Sequence, residues 1–450
     1  MYKLAKFNID DTIVGISSPT GGSIAIVRIS GSDAIPILSK IFSHKGEYES
    51  HRIYYGWIFE NAQKIDEVLV SVMLAPRTFT RQDVVEINCH GGTVAVQKIL
   101  ALVLVNGARL AEAGEFTKRA FLAGRIDLSQ AEAVMDIIGA KSELSHKSAL
   151  SQLSGNLSIL MDNCANDLLN ALARIEMAID YPDHEEAEIV ASDVRDVLCS
   201  ILKQVDKLLA TASGGKLIRE GIKTAIIGQP NVGKSSLLNA MLGQERAIVT
   251  HIAGTTRDVL RETIQLGDIF LIIADTAGIR ETDDIVEKEG VVRSAKEAEE
   301  ADLVLLVLDG SQPLDEDFVV QQSFKNLIVV INKSDLPQQA LVDGIDAPMV
   351  RISAQNGDGI DELTAKIKEV FAINNLQYSQ EIVTNVRHIN LLNAAKEYLN
   401  AAVSAINTGM FIDLVAIDIQ DAYAAIGEIT GVVVDEELID RIFSEFCLGK

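Results

Sequence analysis

The chain has 450 residues, 48% hydrophobic and 23% charged, which fits a soluble globular protein of two to four domains. Its net charge of −24 opposes general nucleic-acid binding, so any RNA would have to meet a local basic patch or a partner. The four cysteines (Cys89, Cys164, Cys199 and Cys447) are scattered without a C-x-x-C pair, which excludes a disulfide framework and a zinc site and suits a reducing cytosol.

Residues 1–122 alternate short β-branched runs with turns. Ile24–Ile29, Val68–Met73 and Val84–Asn88 read as strands and Val94–Asn106 as a helix, together a compact α+β domain. From about 126 to 215 the period becomes helical. Leu150, Leu153, Leu157 and Leu160 recur at helical spacing, as do Leu168, Leu169, Leu172 and Ile175, and Tyr181-Pro182-Asp183 breaks the run. Between about 221 and 372, buried strands alternate with helices: Thr224–Ile227, Phe270–Ala274, Leu303–Leu308, Leu327–Ile331 and Met349–Ile352. That pattern predicts a doubly wound parallel sheet. Beyond about 380 the chain is helical again, so the α/β unit reads as an insertion into one helical domain. No apolar run reaches the roughly 18 residues of a membrane span, and the mixed N-terminus is no targeting peptide, so the expectation is a cytoplasmic protein without a membrane segment.

The inserted unit carries four ordered motifs. Gly228-Gln229-Pro230-Asn231-Val232-Gly233-Lys234-Ser235 fits the phosphate loop G-x-x-x-x-G-K-[ST], between a strand and a helix that opens with Ser236. Its amides would face phosphate, Lys234 would neutralise it and Ser235 would ligate Mg²⁺. Asp275-Thr276-Ala277-Gly278 would hold Mg²⁺ through water and offer an N–H to the γ-phosphate. Asn332-Lys333-Ser334-Asp335 would read guanine, because Asp335 can accept from both N1–H and the exocyclic N–H, a donor pair adenine lacks. Ser353-Ala354-Gln355 would place an N–H near guanine O6. Alone each later motif is weak; in order, at strand ends, they predict GTP or GDP at the carboxyl edge of the sheet.

Hydrolysis needs a positioned water, yet Ile279 stands where Ras-like enzymes carry glutamine. The loop Thr250-His251-Ile252-Ala253-Gly254-Thr255-Thr256 is rich in oxygen donors. With Asn231 it could hold a monovalent cation, and Thr256 is the candidate second Mg²⁺ ligand. The acidic stretch Glu281, Asp283, Asp284, Glu287 reads, on its own, first as a solvated switch loop. Cys447, four residues from the end, is poorly placed for core packing and is a usable nucleophile, although a free cysteine is more often an apolar filler.

The whole chain resembles the bacterial tRNA uridine-modification GTPases of the MnmE (TrmE) family. The likeness is carried by Asp11-Thr12-Ile13, Val27-Arg28-Ile29-Ser30-Gly31, Asp83-Val84-Val85-Glu86, His90-Gly91-Gly92, Gly114-Glu115-Phe116-Thr117-Lys118-Arg119-Ala120-Phe121, Asp127–Ala133, Ile179–Pro182, Gly254–Asp258 and Cys447-Leu448-Gly449-Lys450. The resemblance implies a multidomain α/β protein. Its parts would be an N-terminal α+β folate-binding domain that dimerises (1–122), an all-α helical domain (123–215 and 376–450) and an inserted Ras-like doubly wound G domain (216–375). It further implies K⁺ held by Asn231, Thr250, Ile252 and Thr255, Mg²⁺ held by Ser235 and Thr256, and Glu287 as the water-orienting acid. A folate, 5-formyl-tetrahydrofolate, would be held by Arg28, Glu86, Arg125 and Lys450. Implied partners are a second copy, the flavin-dependent MnmG (GidA) in a heterotetramer, and tRNA whose wobble uridine is modified at C5. The rival expectation is a regulatory GTPase switch acting on ribosomes or translation factors. Two departures stand out: the family's T-G-E-D is Thr80-Arg81-Gln82-Asp83 here, and Leu448 replaces the usual Ile.

Overall fold

The structure, a computed structural model, describes residues 10–180, 184–243, 262–273, 298–313, 324, 326–339, 347–371, 373, 381–447 and 449. It is a multidomain α/β protein that divides into two compact units. One comprises residues 1–135, 153–165 and 424–450, the other 136–152 and 166–423.

The first unit is built on β1 (Ile13–Ile16), β2 (Ile24–Ser30), β3 (Arg52–Glu60), β4 (Gln63–Met73), β5 (Val84–His90) and β6 (Arg109–Leu110), in the order β3-β4-β5-β2-β1-β6. Pairing is antiparallel except between β1 and β6. The period of two buries Ala25, Val27, Ile29, Val68, Val70, Val72, Val85 and Ile87 against α1 (Ala34–Ile41) and α2 (Thr93–Val105). The same alternation turns Arg28 and Glu86, direct cross-strand partners, to the opposite face. The sequence pattern anticipated β2, β4, β5 and α2 but not β1, β3, β6 or α1.

Chain continues through α3 (Glu115–Leu122), α4 (Leu128–Gly139), α5 (Glu143–Leu153) and α6 (Asn156–Asp180). The leucine series from Leu150 to Leu160 is not one helix. Gly155, at φ +86, separates α5 from α6, and Leu150 is exposed.

In the second unit α7 (His184–Leu209) and α8 (Ala212–Glu220) precede β7 (Ile222–Ile227), α9 (Lys234–Leu242), β8 (Glu262–Leu266), β9 (Ile269–Ile273), β10 (Leu303–Asp309), β11 (Leu327–Asn332), β12 (Met349–Arg351) and α10 (Ile360–Val370). Strand order is β12-β11-β10-β7-β9-β8, parallel but for the edge pair β8–β9. β10 is buried on both faces, as a central parallel strand must be. Leu303, Leu305 and Val307 pack with Leu237, Leu238 and Met241 of α9 and Ile360, Leu363 and Ile367 of α10. Val304, Leu306 and Leu308 face the other way, towards Ala298 and Phe324. Each such side chain contributes about 1.5–3 kcal/mol of burial.

After the sheet come α11 (Val386–Asn407), α12 (Ile412–Thr430) and α13 (Glu436–Ser444). α11 packs on α7, with an ion pair between Lys396 and Asp206 at 2.7 Å. Thr211 Oγ1 accepts from the Val383 amide at 3.0 Å. The chain therefore leaves and re-enters a helical layer at neighbouring points, with the α/β sheet between.

Candidate functional site

β7 ends at Ile227 and the chain wraps into α9 through three residues in the left-handed half of the map: Gly228 (φ +155), Asn231 (φ +63) and Gly233 (φ +98). A Cβ on Gly228 would lie 2.4 Å from the Val307 carbonyl oxygen, and one on Gly233 2.2 Å from Asn332 Nδ2. Only glycine lets the loop pass so close to β10 and to the segment after β11. Val232 is buried in the sheet core and anchors the loop. Ser235 and Ser236 lie in the first turn of α9, whose amide-rich start attracts anions. Lys234 Nζ bends over the loop and donates to the carbonyls of Gly228 and Gln229, 2.9 Å each. Burial pushes its pKa down, and an arriving phosphate would favour the charged form.

The loops after β11 and β12 join this one through a single buried side chain. Asn332 Nδ2 donates to the Val232 carbonyl at 2.9 Å, and its Oδ1 accepts from the Ala354 amide at 3.0 Å. Ser353 Oγ donates to Asp335 Oδ1 at 2.6 Å, fixing the carboxylate. Lys333, at φ +63, pairs with Asp309 at 2.6 Å. Burial alone would raise the Asp309 carboxyl, but bonds from Lys333 and Ser311 outweigh it and hold it below the usual range. Asn231 to Ser236, Asn332, Lys333, Asp335, Ser353 and Ala354 thus gather at the carboxyl ends of β7, β11 and β12. The expected nucleotide and cation residues Thr250, His251, Ile252, Ala253, Gly254, Thr255, Thr256, Asp275, Thr276, Ala277 and Gly278, with Glu287, lie outside the described residues. Sequence reasoning passed over Asp309; its signal was an aspartate ending an otherwise apolar central strand.

A second constellation lies in the first unit. Arg28 Nε donates to Glu86 Oε1 at 2.8 Å, and Arg28 Nη1 to the Gly449 carbonyl at 3.3 Å. Ser17 Oγ donates to the same carbonyl at 2.8 Å. Gly449, at φ +85, fits flat on β1: a Cβ there would lie 2.1 Å from the Ile16 oxygen. The Gly114 amide donates to the Cys447 carbonyl at 3.4 Å, and Phe443 and Phe446 of the C-terminal segment pack with Ala120 and Leu128. The end of the chain is thereby tied back to the N-terminal sheet, with Cys447 exposed two residues from the Arg28 contact. The Arg28 guanidinium lies 5.6 Å from the centre of the Phe116 ring, and that of Arg125 4.8 Å from the Phe79 ring. Phe116 and Phe79 belong to one small apolar cluster with Ile13 and Ala111. Lys450 lies outside the described residues. Ser17 and Phe79 carried no sequence signal, and Phe116 stood within a stretch that carries the resemblance without a role of its own.

Comparison with known proteins decides the family. A model of the MnmE helical domain matches residues 128–447, and a model of the GTP-binding protein TrmE N-terminus matches residues 12–125. The chain is 50% identical over 456 residues to a tRNA modification GTPase MnmE of Ligilactobacillus salivarius (strain UCC118), covering 98% of each chain. The chain belongs to the MnmE family. A tRNA modification GTPase MnmE of Lactococcus lactis subsp. cremoris (strain SK11) is 49% identical over 448 residues, again 98% of each chain. Among solved structures, the G domain of the T. maritima FeoB iron transporter is similar to 33% of this chain and 98% of that one, with 26% identity and a TM-score of 0.24. Arg81, one of the expected departures, sits at φ +59, a conformation natural to glycine. Gln82 accepts from Ser30 Oγ at 3.2 Å and from Arg119 Nη1 at 3.1 Å. No helix among the described residues is long and apolar enough to cross a membrane.

Proposed function

We propose that this protein spends GTP to drive modification of C5 of a tRNA wobble uridine, using a folate one-carbon unit, in the cytoplasm and together with a flavoprotein of the MnmG kind. As a member of its family it is a GTP hydrolase acting in tRNA modification. The observation that carries the finer reading is the docking of Gly449 on β1, which holds the exposed Cys447 two residues from a contact with Arg28.

The nucleotide chemistry follows from the loops. The amides after Gly228 and the start of α9 would hold the phosphates, Lys234 would neutralise charge moving onto the leaving β-phosphate, and Asp335, fixed by Ser353, would read guanine. Ser235 and Thr256 would hold Mg²⁺, and Asn231, Thr250, Ile252 and Thr255 would hold K⁺; these ions supply positive charge at the phosphates when bound. Hydroxyl, amide and carbonyl oxygens suit both. Glu287 would orient the attacking water, and its replacement by Ala would leave GTP binding intact while slowing hydrolysis about tenfold or more, roughly 1.4 kcal/mol of barrier.

The residues at the second site fit a folate. Glu86 engages only Oε1 among the described residues, which leaves Oε2 for the guanidine-like edge of a pterin. Arg28 fixes the position of that carboxylate, while Arg125 and Lys450 would supply cations for the glutamyl end. When bound, the folate supplies the one-carbon unit; Cys447 would act as nucleophile or proton carrier beside it. Pairing of two copies through the N-terminal domain (1–122), with the helical domain at 123–215 and 376–450 and the G domain at 216–375, completes the proposal.

Nucleoside mass spectrometry of tRNA from cells lacking this chain, complemented with wild type or Cys447→Ser, tests it. Loss of the wobble modification, restored by wild type alone, is the expected result. Persistence of the modification in the null strain would leave a GTPase acting as a regulatory switch on ribosomes or translation factors.

A further inference from the structure

An open cavity of about 400 Å³ lies in the first unit, lined by Met73, Pro76, Arg77, Thr78, Phe79, Arg81 and Arg125. Three arginines line it. Arg81 Nη2 donates to the Gly124 carbonyl at 3.1 Å, and Arg125 stacks on Phe79. No carboxylate among the described residues pairs with any of the three. Asp83, two residues from Arg81, has one oxygen on the Ala75 amide at 2.8 Å. On a chain of net charge −24, three unneutralised cations around one cavity mark a place where an anion belongs.

The walls are fixed. Thr78 Oγ1 donates to the Gln82 carbonyl at 2.6 Å, and the Thr80 and Ser30 hydroxyls share a buried hydrogen bond of 2.7 Å, which pins the loop to β2. Arg81 holds the left-handed conformation at φ +59, which L side chains adopt at a cost. A strained arginine lining a cavity that two other arginines also line points to use rather than accident. Phe79, under Arg125, belongs to the same apolar cluster as Phe116, under Arg28. The cavity and the Arg28–Glu86 corner are therefore two edges of one small core.

We infer that Arg77, Arg81 and Arg125 form a carboxylate pocket that holds the oligo-γ-glutamyl tail of the folate whose pterin meets Glu86, so that this chain selects polyglutamylated over monoglutamyl folate. The inference rests on the folate reading given above. Each further γ-linked glutamate adds one carboxylate, and arginine matches carboxylate geometry with two parallel N–H donors. A cavity of this size takes several such groups, and its open side leaves room for tails of different length.

Calorimetric binding of 5-formyl-tetrahydrofolate as the monoglutamate and as the pentaglutamate tests this on the full chain, in wild type, Arg81→Gly and Arg77→Gln. Glycine is at ease at φ +59, so the first variant keeps the loop, and Arg77→Gln leaves the backbone untouched; GTP hydrolysis, which uses neither residue, reports correct folding. Wild type is expected to bind the pentaglutamate about tenfold or more tighter than the monoglutamate, as one or two added charge-assisted bonds imply. That ratio should fall to about threefold or less in either variant and shrink as salt is raised. Equal affinity of wild type for both folates would overturn the pocket and leave the folate site standing. Binding of neither would overturn both. A preserved ratio with weakened tRNA binding in the variants would overturn the inference in favour of an RNA phosphate contact.

Discussion

The side-chain amide of Asn332 donates to the carbonyl of Val232, one hundred positions earlier in the chain, at 2.9 Å. The loop proposed to read the base and the loop proposed to wrap the phosphates are thus one hydrogen-bonded piece, and the Ala354 amide on Asn332 Oδ1 extends it to the third loop. Asn332→Ala would orphan two buried backbone groups at about 1–3 kcal/mol each. GDP affinity, followed by a fluorescent analogue, is expected to fall about tenfold or more, with a lower melting temperature. Unchanged affinity would mean that the loops hold their places without this bridge.

Asp335 is fixed by Ser353, so the two should act together in base choice. Asp335→Asn exchanges an acceptor for a donor and should move preference from GTP towards xanthosine triphosphate. Ser353→Ala keeps the carboxylate but frees its rotation, and GTP affinity should drop about threefold to tenfold without a change of preference. Competition binding with the two nucleotides separates these effects. A retained guanine preference in Asp335→Asn would remove that residue from base reading.

Gly449→Ala would force a methyl to within 2.1 Å of the Ile16 oxygen at a backbone angle that alanine avoids. The C-terminal segment should lift from β1 and carry Cys447 with it. Modification of tRNA is expected to fall about 100-fold, the scale of an ångström misplacement, while GTP turnover stays normal. A variant that modifies tRNA at the wild-type rate would show that docking of the chain end is dispensable.

Arg119 is buried and joins Asp11, Gln82 and Glu115, with Arg109 on the outer side of both carboxylates. For Asp11 and Glu115, burial raises the pKa, yet the arginine bonds prevail and the net shift is downward. A depressed carboxylate stabilises the fold above its unfolded pKa of about 3.9–4.3 and loses that contribution as pH falls through the lower folded value. Arg119→Met should cost about 3–5 kcal/mol at neutral pH, because the acids then lie half buried and short of a partner. Its urea-unfolding stability should also change less than that of wild type between pH 5 and pH 3. Parallel acid limbs in the two proteins would assign the acid sensitivity elsewhere.

The sequence by itself determined the inserted nucleotide unit. Apolar runs such as Leu303–Leu308 can only be parallel strands buried on both faces, and the phosphate and guanine motifs each sit where such a strand ends. Local spacing is enough there, because the chemistry is read from consecutive residues. It also gave β2 and β5, but not that Arg28 and Glu86 face each other; register between strands 58 positions apart is set by pairing and packing, not by local pattern. The break at Gly155 escaped a leucine period that runs straight through it, because periodicity is blind to one left-handed residue. What only the tertiary structure decided is the company each residue keeps: Asn332 on Val232, Gly449 on β1, and three arginines around one cavity. Those contacts join residues far apart in the chain, and closing such loops is favourable only once the two sheets have fixed where their ends lie.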